Sequence, residues 1–161
     1  MSRPGAGYRP TVMNPELEML LRVFVAALLG GAVGYDRQRH DKPAGLRTHM
    51  LVAMGAALFT ASAAIASGDR LDLLRVTAAI ATGIGFLGAG AIMRSGETIT
   101  GLTTAAGIWV TAGIGVVIGV GQWILGVGAA LITVIVIAVL GHPAVPTPGG
   151  TTTAHDEAED S

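Results

Sequence analysis

Residues 101–140 read GLTTAAGIWVTAGIGVVIGVGQWILGVGAALITVIVIAVL, without one Lys, Arg, Asp or Glu. The hydrocarbon core of a bilayer takes about 20 apolar residues per helix. The stretch therefore predicts two spans, Gly101 to Val120 and Gln122 to Leu140, meeting at Gly119-Val120-Gly121. Composition points the same way, because a chain of 161 residues with 13% charged residues and a mean hydropathy of +0.61 has too little polar surface to cover a soluble domain. The fold class that follows is all-α, a polytopic membrane bundle of about five transmembrane helices.

Three more spans lie upstream. Leu17 to Tyr35 is long enough to cross, although Glu18 and Arg22 stand in its opening turns. Met50 to Gly68 is uncharged, and Leu46 to His49 extends it backward toward the break at Pro43 and Gly45. Val76 to Met93 is also uncharged, extended at its front by Leu71 to Arg75 after the turn Ser67-Gly68-Asp69. The chain thus divides into a polar tail at 1–16, a transmembrane domain at 17–140, and an acidic tail at 141–161 whose Pro, Thr and Gly content predicts disorder. The N-terminal region shows no small-residue cleavage pattern, so the first span is expected to be retained. The absence of cysteine excludes disulfides, thiolate metal sites and cysteine nucleophiles.

Charge sets the orientation. Arg37, Arg39, Lys42, Arg47 and Arg94 fall on one side; Arg3, Arg9, Arg22, Arg70 and Arg75 fall on the other. The counts tie, and the density of Arg37, Arg39 and Lys42 in the first loop places that loop and the C-terminus in the cytoplasm, with the N-terminus outside. Near the outer face, Glu18/Arg22 and Asp72/Arg75 have spacings that allow ion pairs along one helix. Near the inner face come Asp36, Arg47, His49, Arg94 and Glu97. Charged groups at membrane depth face a bundle interior, a cavity or one another. Interfacial snorkelling or structural pairing accounts for Arg22, Arg75 and Arg94. Arg47 and His49, two apart on a helix, point in different directions and are the stronger functional candidates. No second His stands at metal-binding spacing, so no metal site is expected.

Gly83-Ile84-Gly85-Phe86-Leu87-Gly88 matches the dinucleotide fingerprint G-x-G-x-x-G, but its context is wrong. The fingerprint needs a strand turning into a helix and an acid about 20 residues on, whereas these glycines lie inside an apolar span. Gly83, Gly85, Gly88 and Gly90 are expected to admit close helix packing. The small-xxx-small pairs Gly30/Gly34, Gly85/Ala89, Gly101/Ala105 and Gly115/Gly119 carry the same expectation. A local break in the helix that offers backbone groups to a ligand is the alternative.

Four motifs in order carry a family resemblance. Gly30-Gly31-Ala32-Val33-Gly34-Tyr35-Asp36-Arg37, Lys42-Pro43-Ala44-Gly45-Leu46-Arg47-Thr48-His49, Gly83 through Ile92, and Gly101 through Trp109 closely resemble the MgtC/SapB membrane proteins, over about Leu17 to Leu140. The resemblance implies a multi-pass protein of the bacterial inner membrane, tied in some members to magnesium limitation and to survival in phagocytes. It implies modulation of other membrane machinery, ATP synthase included, in place of magnesium pumping. It also offers Asp36, Arg47, Thr48 and His49 as functional residues, with Gly83 to Gly90 in support. Two departures stand out. Thr103 occupies a position where the virulence-associated branch typically has Asn, and the C-terminal regulatory domain of the ACT type found in that branch has no counterpart here, as in the short members.

Three function classes compete. An enzyme is disfavoured, since the chain has no Ser/His/Asp constellation of recognisable spacing, no phosphate loop with its Lys and no paired acids in a solvent-accessible domain. No cofactor and no nucleic-acid partner is expected. A non-enzymatic modulator embedded in the lipid bilayer, acting through helix contacts in adaptation to magnesium limitation or stress, is the favoured reading. A small transporter or channel with Asp36, Arg47 and His49 at its mouth is the alternative. Either is easier to build as a homo-oligomer than from one small bundle.

Overall fold

A computed structural model describes residues 14–66, 69–95 and 97–140. Five helices and one small hairpin follow in chain order: α1 (Pro15–Arg39), α2 (Leu46–Ala66), α3 (Arg70–Gly90), β1 (Met93–Ser95), β2 (Thr98–Thr100), α4 (Leu102–Gly119) and α5 (Trp123–Leu140). The tails expected at 1–16 and 141–161 lie outside the described residues apart from residues 14–16, as do Ser67 and Gly68 of the expected turn. The membrane bundle is as expected. Helices α1 to α4 are long and apolar enough to cross a bilayer. Helix α5, apolar but for Thr133, whose hydroxyl donates to Ala129 O, rises about 27 Å at 1.5 Å per residue, close to the thickness of the hydrocarbon core.

Local chemistry sets the boundaries. Asn14 Oδ1 accepts from Glu16 N at 3.0 Å with Pro15 opening α1, and Asp69 Oδ1 accepts from Leu71 N at 3.1 Å to start α3. Helix α1 runs past the expected Tyr35 to Arg39. It closes with Lys42 N donating to Arg37 O (3.1 Å) and Asp41 N to Gln38 O (3.3 Å), a Schellman cap with Asp41 in the left-handed region at φ +48°. The same cap ends α4, where Gln122 N donates to Val117 O and Gly121 N to Ile118 O, both at 2.9 Å, around Gly121 at φ +84°. The joint expected at Gly119-Val120-Gly121 is thus a helix-to-helix turn.

The third span differs from expectation at its end. Instead of reaching Met93, α3 stops at Gly90, where Ala91 N and Ile92 N bond back to Gly88 O and Ala89 O, and the chain turns into an antiparallel hairpin with Arg94 opposite Ile99. The β-branched run Thr98-Ile99-Thr100 favours that extended form.

Bundle packing centres on α2, held between α1 and α4 by small residues. A side chain at Gly34 would put its Cβ 2.8 Å from Gly45 O, and one at Gly30 would stand 2.8 Å from Ala53 Cβ. From the other side, Gly119 would meet Ala57 O at 2.8 Å and Gly115 would meet Ala56 Cβ at 2.9 Å. Both expected pairs, Gly30/Gly34 and Gly115/Gly119, therefore sit where helix backbones nearly touch. In lipid this close van der Waals contact replaces the hydrophobic drive that water supplies to soluble bundles. Ala26, Ala53, Ala57 and Ile118 are fully buried along the seam. Helix α3 lies outside it with Gly88 as its one buried residue among those described.

Candidate functional site

Helix α1 ends, and α2 and α4 begin, at the same end of the bundle. Three polar side chains meet there. Arg37 stands in the last turn of α1, where helix carbonyls favour a cation, and is 5% exposed. Its Nη2 donates to Thr104 Oγ1 of α4 at 2.7 Å. His49, in the first turns of α2, is fully buried; Gly34 of α1 lies against its Cβ, and Gly107 of α4 lies against its Nε2. Thr104 and Gly107 are three apart, on one face of α4, so Arg37 and His49 approach that helix one turn from each other.

The hydrogen bonds leave a donor and an acceptor over. His49 Nδ1 lies 2.9 Å from Gly45 O, and because a carbonyl only accepts, that nitrogen carries the proton. Nε2 of the neutral ring then holds a lone pair, and among the described residues it has no partner; Arg37 Nε, an N–H donor, has none there either. No carboxylate pairs with Arg37 among the described residues. Asp36, its neighbour in sequence, sits 3.5 Å from His40 Nδ1.

At the opposite end of α1, Arg22 presents a different arrangement. It pairs with Glu18, as their spacing suggests, and its Nη1 donates to Gly119 O at 2.7 Å, binding the carbonyl end of α4. This is a structural clamp. Asp72 and Arg75 also pair, at 3.5 Å on an exposed surface.

The sequence candidates therefore separate. His49 is at the junction, while Arg47 and Thr48 are exposed and Asp36 is engaged with His40, so the four do not form one group. Arg37 and Thr104 were missed: Arg37 reads as one cation of a basic loop, and Thr104 as one more small residue in an apolar run. The helical distance from Gly34, one turn back and tightly packed, is the signal that places Arg37 inward.

The glycines separate too. The Gly83 to Gly90 run is continuous helix, so the expected alternative of a broken helix does not hold. A Cβ added at Gly88 would lie 3.6 Å from Ala105 Cβ, but Gly83, Gly85 and Gly90 face open space within 4 Å, because α3 lies apart from the α1–α2–α4 seam. Their close packing is absent within the described residues. Gly101 serves a different end: it precedes α4 at φ +88°, and a Cβ there would collide with Ala91 O. Among the described residues no three His, Cys, Asp or Glu gather as a metal site.

Comparison with known proteins places this geometry. The chain is 45% identical over 129 residues to the putative magnesium transporter YhiD of Escherichia coli K12, covering 76% of this chain and 60% of that protein. It is 49% identical over 114 residues to protein MgtC of Brucella abortus, covering 71% and 46%, and 45% identical over 113 residues to protein MgtC of Salmonella typhimurium, covering 70% and 48%. The chain thus spans about half to three fifths of the length of these relatives. No solved structure matches it. Residues 23–143, which take in the polar junction, the tight α2 seam and the open α3, match the MgtC family, and the chain belongs to that family.

Proposed function

We propose that this multi-pass membrane protein is a non-enzymatic modulator in the bacterial inner membrane, acting by helix-to-helix contact in adaptation to magnesium limitation or stress. One observation carries the reading: α3 is an apolar helix whose glycines stand open on more than one side. Gly83 and Gly85 meet nothing within 4 Å, and Gly83 lines an apolar groove of about 560 Å³ between α2 and α3, opposite Gly55 and Phe59. Lipid fills such a groove by default, but glycines give a helix the closest approach that a second helix can use. A second copy of the chain and another membrane complex both suit it, ATP synthase being the partner that the family resemblance suggests. The proposed orientation puts Arg37, Arg39 and Lys42 in the cytoplasm with the C-terminus, and the N-terminus outside.

Cross-linking in the native membrane tests the reading. The double variant Gly83→Leu/Gly85→Leu, inserted at wild-type level, is expected to lose its cross-linked partner bands. Unchanged bands would overturn the reading.

Transport is the second reading, favoured by the junction of Arg37, His49 and Thr104. That junction does not suit magnesium, which is usually held through carboxylates and its own water. A cationic site suits an anion better.

A further inference from the structure

We propose that Arg37, Thr104 and His49 form a buried site for a small monovalent anion, which enters together with a proton that His49 takes up on Nε2. The argument begins with charge. A guanidinium stays protonated in proteins, and this one is almost wholly buried; the charge of Asp36 reaches it, but no carboxylate forms an ion pair with it among the described residues. One hydroxyl is its side-chain partner, and Nε–H is unmet. Unmet buried donors are rare and costly, the more so on a charged group.

Two helix starts add positive potential, set against the carbonyl end of α1 beside Arg37. His49 and Thr104 both stand near the N-termini of their helices, α2 and α4, where the backbone dipoles favour negative charge. Thr104 Oγ1 accepts from Arg37, which leaves its own O–H proton to give. Arg37 thus brings an unmet Nε–H, and Thr104 an O–H free to donate, to the contact between α1 and α4.

His49 decides the proton count. Its Nε2 lone pair repels an anion while the ring is neutral, since Nδ1–H is committed to Gly45 O. A proton from the aqueous phase on Nε2 turns that atom into a third donor without breaking the bond to Gly45. Proton and anion then enter as a neutral pair, which lowers the cost of charge in a buried site. The groups around the ring allow this. Helix α1 brings Arg37, with Asp36 held beside His40; α4 brings Thr104 and Gly107; α5 brings Ile137, across Gly107. Arg47, on the ring's own helix, is exposed.

By linkage, anion affinity falls as pH rises above the ionisation range of His49, by about tenfold per pH unit, and the anion in turn favours the protonated ring. Occupancy of the site does not depend on what α3 contacts.

The test uses the full chain in lipid nanodiscs with ¹⁵N-labelled histidine, chloride as the probe and gluconate at equal ionic strength as the reference. His49→Gln assigns the ring signals. Chloride is expected to convert His49 from one ring proton to two, and to raise the unfolding temperature more at low pH than at high. Thr104→Val, which keeps the side-chain volume, should weaken chloride by about tenfold, and Arg37→Gln should abolish the effect. Arg37→Lys keeps the charge and guards against a folding defect in the Gln variant; it should retain part of the response. If His49 keeps a single ring proton at every chloride concentration, or if chloride and gluconate act alike, the junction holds water only and the proposal fails.

Discussion

Helices α3 and α4 are read from nearly the same alphabet, Gly, Ala, Ile, Val and Thr, yet half of the apolar window of α4 is buried and 6% of that of α3. Both carry small residues one turn apart, Gly115/Gly119 on α4 and Gly85/Ala89 on α3. On α4, Gly115 and Gly119 sit against the backbone of α2; on α3, Gly83 and Gly85 face open space. Small residues permit close approach, but neighbours decide whether it happens. A glycine with a tight neighbour holds this chain together, and a glycine without one is free for something outside it.

Enlarging a tight glycine tests that contrast most severely. Gly115→Leu adds a side chain where even its Cβ would lie 2.9 Å from Ala56 Cβ, so α4 and α2 must separate. Loss of stability on the order of 3 kcal/mol or more is expected, read as an unfolding midpoint in mixed micelles. A wild-type midpoint would mean that the α2–α4 seam is looser than the geometry indicates.

Next comes the turn that fixes where α4 starts after α3. Gly101→Ala places a Cβ into Ala91 O at a left-handed φ of +88°. About 2 kcal/mol of destabilisation is expected from backbone strain and the collision. Asn, which tolerates that conformation better, should lose less of the strain term but keep the collision, so Gly101→Asn separates the two causes.

The bundle and its internal ties were largely legible before the fold was known. Span positions follow from uncharged length, the Glu18/Arg22 pair from its spacing, and the seams at Gly30/Gly34 and Gly115/Gly119 from small residues one turn apart. What escaped has a common cause. These helices are apolar nearly all round, so their periodicity does not mark an inward face. Without that face, Arg37 counts as a loop cation, Thr104 as filler, and Arg47 looks as good a candidate as His49. The hairpin was masked differently, because Ile92 and Met93 prolong the apolar run past the real end of α3.

The gentlest change to stability is also the sharpest test of the comparison. Gly83→Leu puts a large side chain on α3 where no atom stands within 4 Å. Leu favours helix over Gly by about 0.8 kcal/mol, and the side chain enters the groove beside α2 without displacing packed protein. The unfolding midpoint should hold or rise by up to about 0.5 kcal/mol, the reverse in sign of Gly115→Leu. Equal destabilisation by the two substitutions would show that the groove closes in the membrane and that α3 is as internal as α4. A stable Gly83→Leu protein with weakened cross-linking would instead separate folding from association, and locate the second in the helix that the fold leaves uncovered.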